Sequence, residues 1–109
     1  MKRGEIWTAS GGPDYASKPR PVVIVQDDRF DATASITVCP FTTDSTDAPL
    51  FRPVIEPSPA NGLHAVSRLM ADKVTTVIKA KLDFRVGSLN VEETRRLDRA
   101  LLLFLGLAG

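Results

Sequence analysis

The run Arg20-Pro21-Val22-Val23-Ile24-Val25-Gln26 places β-branched apolar residues at consecutive positions. Successive side chains of a strand point to opposite faces, so such a run buries both of its faces. It is therefore expected as a central strand. Pro19 and Pro21 lack amide donors and belong at its entry. A chain of 109 residues built round one such strand is expected to form a single domain over residues 1–109.

The flanking segments carry the same type of signal more weakly. Gly4 to Thr8 reads as a first strand, followed by a Gly/Pro/Ser loop from Ala9 to Pro19. Asp27 to Thr33 reads as a loop with one helical turn. Ser35 to Cys39 is a third strand, ended by Pro40, and Thr42 to Ala48 is a polar loop. Leu50 to Ile55 is a fourth strand that Pro53 assigns to an edge. Glu56 to Gly62, with two prolines and a glycine, is a turn. Ala65 to Ala71, Val74 to Ile78 and Phe84 to Leu89 are further short strands.

After Leu89 the period changes. Asn90 precedes Glu93 by three residues, close to a capping box. Val91, Thr94, Leu97, Leu101 and Phe104 then recur at helical spacing, and Gly106 supplies a stop. Ala100 to Leu107 is apolar nearly all round, so this end is expected to be covered by the barrel or by a second subunit. Together these elements predict a mainly β protein: a small SH3-like antiparallel β-barrel with a C-terminal α-helix.

Composition excludes more than it selects. A net charge of +1 does not advertise a nucleic-acid binder. Locally, however, Arg68, Lys73, Lys79, Lys81 and Arg85 face only Asp72 and Asp83 between residues 68 and 85. That stripe is read either as a solvated strand surface or as a track for a phosphate backbone. Cys39 is the single cysteine, so no intrachain disulfide or cysteine-based metal cluster can form, and its surroundings make it a small buried hydrophobe. No apolar stretch is long enough to span a bilayer and no signal peptide precedes Met1, so the cytoplasm is the expected location.

Hydrolytic schemes fall by elimination. His64 is the only histidine, which removes a two-histidine ribonuclease, and after Gly62-Leu63 it reads as an exposed turn or strand residue. No Gly-x-Ser-x-Gly elbow, Walker loop or dinucleotide fingerprint is present, and no cofactor or metal is called for. Arginine, threonine and aspartate on loops beside strands remain. RNA can be cut with that set, because its 2′-hydroxyl is its own nucleophile. The enzyme has to align that oxygen and stabilise the pentacovalent phosphorane. A guanidinium suits phosphate oxygens, and a threonine hydroxyl can add a hydrogen bond. Arginine at its ordinary pKa is a poor general base. On residue type alone, Arg20 reads first as a surface ion pair and Thr42 as the start of a turn.

Four segments in order resemble the MazF/PemK toxin family: Arg3-Gly4-Glu5-Ile6-Trp7, Lys18-Pro19-Arg20-Pro21-Val22-Val23-Ile24-Val25-Gln26, Val38-Cys39-Pro40-Phe41-Thr42-Thr43 and Asp72-Lys73-Val74-Thr75-Thr76-Val77. The resemblance implies a plug-like β-barrel acting as a homodimer. It implies a sequence-specific, metal-independent endoribonuclease of a type II toxin–antitoxin system that leaves a 2′,3′-cyclic phosphate. A cognate antitoxin would occupy the RNA groove. Arg20 matches the family's main catalytic arginine, Thr42 its catalytic threonine, and Asp72 an aspartate proposed as proton acceptor in some members. Those members carry an arginine where Met70 stands, and Lys73 replaces a common glutamine with a bearing on base preference. The first loop departs from a frequent Gly-Ser-Glu-Gln pattern. In it Tyr15 can stack on a base or stand idle. Lys18, Thr43 and Lys73 complete the substrate-binding candidates.

The alternative of another class is a gyrase poison on the related CcdB-like fold, acting by protein binding. That mode resembles a C-terminal Trp-Gly-Ile ending. Here the chain ends Gly106-Leu107-Ala108-Gly109, and Trp7 is its only tryptophan. A further alternative is an inactive barrel that only binds its partner.

Overall fold

A computed structural model describes residues 1–10 and 19–108. The strands are β1 (Glu5–Ala9), β2 (Arg20–Ile24), β3 (Ser35–Thr42), β4 (Val54–Ile55), β5 (Ser67–Leu69), β6 (Thr75–Ile78) and β7 (Leu82–Ser88), followed by helix α1 (Val91–Phe104). They form one curled antiparallel sheet in the order β4-β5-β3-β2-β1-β7, with β6 paired to β3 beside that path. The protein is thus mainly β, a half-barrel with one C-terminal helix. Among the described residues no helix is long and apolar enough to cross a membrane.

The expectation for β2 holds. It lies between β1 and β3, and its side chains feed two cores. Val23 packs with Ile6, Cys39, Phe41, Leu69 and Leu97. Val22 and Ile24 pack on the other face with Ala9, Ile36 and Val38. Cys39 is buried in the first of these, as its neighbours suggested.

Two strand readings are corrected. Pro40 does not end β3, which runs on to Thr42. In a strand a residue's N–H and C=O share one edge, and the Pro40 carbonyl accepts from the Met70 amide at 2.9 Å. Pro40's missing N–H therefore lies where β3 exchanges β6, paired as far as Val38, for β5, paired from Phe41. The Met70 carbonyl that it would have met accepts from the Lys73 amide instead. No ladder bond is lost, so the proline is tolerated. The second correction concerns Leu50 to Ile55, of which only Val54–Ile55 is strand. The Ala48 carbonyl accepts from both Phe51 and Arg52 amides, a turn that Pro49 at its second position favours. The remaining short β4 lies at the sheet edge, as Pro53 indicated.

The sheet's two ends, β4 and β7, are joined by the connection between β4 and β5. Ser88 donates its amide to the Ala60 carbonyl at 2.9 Å. Gly62, with φ +70°, approaches so closely that a Cβ there would stand 2.2 Å from the Val86 carbonyl oxygen, and one on Gly87 would stand 2.4 Å from that of Ala60. Buried Asn61 fixes this crossing. Its side-chain oxygen accepts from the Ser58 and Leu63 amides, and its nitrogen donates to the Glu56 carbonyl and to Glu93 at the start of α1. Glu93 completes the capping box with Asn90.

Helix α1 buries Glu93, Leu97 and Ala100. Its end departs from one alternative of the sequence reading. Leu102, Leu105 and Leu107 stay exposed, so the barrel does not cover them, while the Phe104 ring meets that of Phe51 at 5.6 Å and is half covered.

Candidate RNA-cleaving groove

β2 and β3 pair with Val22 opposite Pro40, Val23 opposite Cys39 and Ile24 opposite Val38. Continued by two residues, this register sets Arg20 opposite Thr42. Opposite residues of an antiparallel pair project from the same face, with Cβ atoms about 4.5–5.5 Å apart. The face they share is filled by the Val22–Val38 core at one end and opens into a groove at the other. Arg20, Pro40, Thr42, Met70, Lys73 and Thr75 line this groove, with a volume of about 580 Å³.

Arg20 is exposed at the first position of β2, and among the described residues it has no hydrogen-bond or ion-pair partner. Its guanidinium is available to an anion. Thr42 begins the turn expected of it: Oγ1 accepts the Asp44 amide at 3.1 Å. A hydroxyl that accepts one bond still has its proton to give, so the turn aims Thr42 as a donor. Lys73 enters the groove from the 3-10 turn Ala71–Lys73.

Asp72 lies on that turn but not in the groove lining. Arg52 grips it in a two-pronged ion pair, Nε to Oδ1 at 3.0 Å and Nη2 to Oδ2 at 2.8 Å. The hydrogen bonds from Arg52 hold the Asp72 carboxyl below the usual carboxylate range, against the opposing effect of its partial burial. Arg52 is raised in turn, first by the same bonds. Thr43 and His64 are exposed and outside the groove lining. Tyr15 and Lys18 lie outside the described residues. The basic stripe does not stay together: Arg85 pairs with Glu5, and the Lys79 ammonium donates to the Asp31 carbonyl.

Sequence reasoning missed Arg52, Met70 and Thr75. Arg52 stands twenty residues from Asp72, and no local spacing links them. Met70 and Thr75 had a signal in their position beside Asp72-Lys73, but their residue types carry no chemistry of their own.

A family model described as PemK-like, MazF-like toxin of type II toxin-antitoxin system matches residues 2–105. The chain belongs to this family. It is 62% identical over 109 residues to a protein of Mycolicibacterium smegmatis (strain ATCC 700084 / mc(2)155) described as a probable endoribonuclease MazF, covering 100% of each chain. It is 32% identical over 116 residues to endoribonuclease MazF9 of Mycobacterium tuberculosis (strain ATCC 25618 / H37Rv), covering 98% of each. Among solved structures, an endoribonuclease in complex with its cognate antitoxin from a mycobacterial species superposes with a TM-score of 0.80, over 98% of this chain and 96% of that one. At 22% identity that likeness shows the MazF fold alone. The family match agrees with the toxin-endoribonuclease reading and gives no support to the gyrase-poison alternative.

Proposed function

We propose that this chain, an endoribonuclease toxin of the MazF/PemK family, cuts single-stranded RNA at particular sequences without a metal ion, with Arg20 and Thr42 at the scissile phosphate. The observation that carries the reading is the pairing of these two side chains across β2 and β3 in one open groove. The RNA 2′-oxygen attacks the adjacent phosphorus, and the bond to the 5′-oxygen breaks. A proton lost from O2′ is matched by one gained at O5′. The products are a 2′,3′-cyclic phosphate and a 5′-hydroxyl. Charge builds on the equatorial phosphate oxygens, where the Arg20 fork and the Thr42 hydroxyl are suited to meet it. Lys73 adds a positive charge on the same wall. Asp72, engaged by Arg52, serves to hold the turn that presents Lys73 rather than to take a proton.

The reading treats residues 1–109 as one toxin domain working in the cytoplasm, where messenger RNA is made and translated. Tyr15, Lys18 and Thr43 remain contacts to RNA under this proposal. Two partners accompany it. A second copy of the chain would cover the exposed apolar end of α1, and a cognate antitoxin would block the groove.

The test is incubation with single-stranded RNA in excess chelator, followed by sequencing of the RNA ends. Cutting at recurrent sites with cyclic-phosphate ends is expected, with DNA of the same sequence left intact because it lacks the nucleophile. Cleavage of that DNA, or restoration of cutting only by a divalent ion, would refute the mechanism.

A further inference from the structure

One row of side chains crosses four strands on the groove face. Arg20 stands opposite Thr42 by the β2–β3 register. Thr42 stands opposite Arg68, and Arg68 opposite Val54. Thr42 is therefore flanked on both sides by arginines. Arg68 does not line the groove of Arg20. It lines a second cavity, of about 340 Å³, between the 47–54 segment and helix α1. Strands lie about 4.8 Å apart, so the row from Thr42 to Val54 spans about 10 Å. The cavity thus adjoins the cutting site at the distance of a neighbouring nucleotide.

Four arginines converge there: Arg52, Arg68, Arg96 and Arg99. Arg52 is neutralised by Asp72. Arg68 donates to the Asp44 carbonyl at 3.3 Å and Arg96 to the Val54 carbonyl, but a carbonyl carries no full negative charge. Arg99 has no hydrogen-bond or ion-pair partner among the described residues, and Asp47 is the one further carboxylate in the lining. Arg68 also lies within reach of the Asp44 carboxylate, which leaves Arg96 and Arg99 against Asp47, the one carboxylate in the lining. Clustered like charges in a cleft repel one another and focus a field that draws in an anion. The remaining walls include Pro49, Leu50 and Leu103, flat apolar surface of the kind a base can lie against.

We propose that this cavity is a second RNA subsite, taking the nucleotide beside the scissile one with its phosphate on Arg68 and Arg99 and its base against Pro49, Leu50 and Leu103. The proposal rests on the RNA-cutting reading above. It leaves helix α1 free to pair with a second copy, because Arg96, Arg99 and Leu103 share one side of the helix, whereas Leu102 and Leu105 lie on another.

The test compares Arg99→Gln with Arg95→Gln, which removes the same charge from an exposed residue paired, among the described residues, with Glu92. On a mapped RNA substrate, Arg99→Gln is expected to raise KM roughly tenfold with kcat kept, the pattern of lost binding common to ground and transition states. It should also flatten the slope of log affinity against log salt by about 0.7, the value of one phosphate contact on a single strand. Arg68→Gln should act in the same direction, and Arg95→Gln should do neither. Wild-type KM and salt slope in Arg99→Gln would overturn the proposal, as would an equal effect in Arg95→Gln. So would a loss confined to binding of an acidic peptide. Anisotropy with a fully 2′-O-methylated single-stranded RNA pool, which cannot be cut, is measured in parallel. If the wild type cuts no RNA, the catalytic reading fails on its own, and the difference in RNA binding between the two variants still decides the subsite.

Discussion

Arg52 and Asp72 close a two-pronged ion pair across the 47–54 segment and the turn Ala71–Lys73, with both side chains largely shielded from water. The pair anchors the turn that brings Lys73 to the groove. Removing Arg52 leaves a half-buried carboxylate without its partner. Arg52→Gln is expected to lose about 2 kcal/mol of stability, the range for hydrogen bonds to charged groups.

The same pair sets a pH dependence. Asp72's folded pKa lies below its ordinary value near 3.8. Its stabilisation is therefore fully present above that value and is lost as pH falls through the depressed one. Melting of wild type and Asp72→Asn across pH should show a constant gap near neutrality that closes only below pH 3.8. A gap that is already closing near pH 6 would show that some other group carries the effect.

For Arg20 and Thr42 the expectation is catalytic and not structural. Arg20→Ala should slow single-turnover cleavage roughly a hundredfold or more, since one such donor is worth about 3 kcal/mol. Arg20→Lys should recover little, because an ammonium lacks the planar fork. Thr42→Val should also cut the rate sharply while keeping its shape. Both positions lie at strand ends, where a surface change typically shifts stability by only about half a kcal/mol. A well-folded Arg20→Ala protein with near-normal cleavage would remove Arg20 from the mechanism.

Cys39 should be chemically silent. Burial pushes its thiol up to about 12, with the Asp72 charge adding to the rise. Only the thiolate is nucleophilic. Iodoacetamide at pH 8 is expected to leave the native protein unmodified and to label it fully in denaturant. Rapid native labelling would mean that the core around Ile6, Val23 and Leu69 opens far more readily than its packing indicates.

The exposed helix end predicts self-association. Leu105 and Leu107 are 59% and 70% exposed, a costly arrangement for a monomer. Sedimentation at micromolar concentration should show a dimer of the 11.8 kDa chain, and Leu105→Asp should shift it toward monomer. A wild-type protein that sediments only as monomer would end this reading.

How far the sequence foretold all this depends on whether each signal was local. β2 and the Asn90–Glu93 capping box were legible because an unbroken apolar run and a cap act within a few residues. Pro40 misled because the rule that proline ends strands ignores what lies across the ladder, and here its missing donor falls where β3 changes partners. Leu50 to Ile55 misled because β-branched and apolar types outweighed Pro49, whose turn decides the backbone. Arg20 and Thr42 were found by resemblance to a family, not by physics. Their pairing, and the addition of Arg68 to the same row, depended on a register between segments far apart in the chain. Arg52 and Asp72 were invisible as a pair for the same reason.

The crossing of Gly62 and Gly87 separates two kinds of failure. Among the described residues, the half-barrel is shut by the backbone contact between the connection after β4 and strand β7. A side chain at either glycine would prise the seam apart while leaving β2, β3 and both cores largely in register. What it would release is a pair of raw strand edges with their N–H and C=O groups unclaimed, a template on which another chain can grow. A Gly87→Val protein should therefore melt earlier and also betray itself in the pellet of a centrifuge tube.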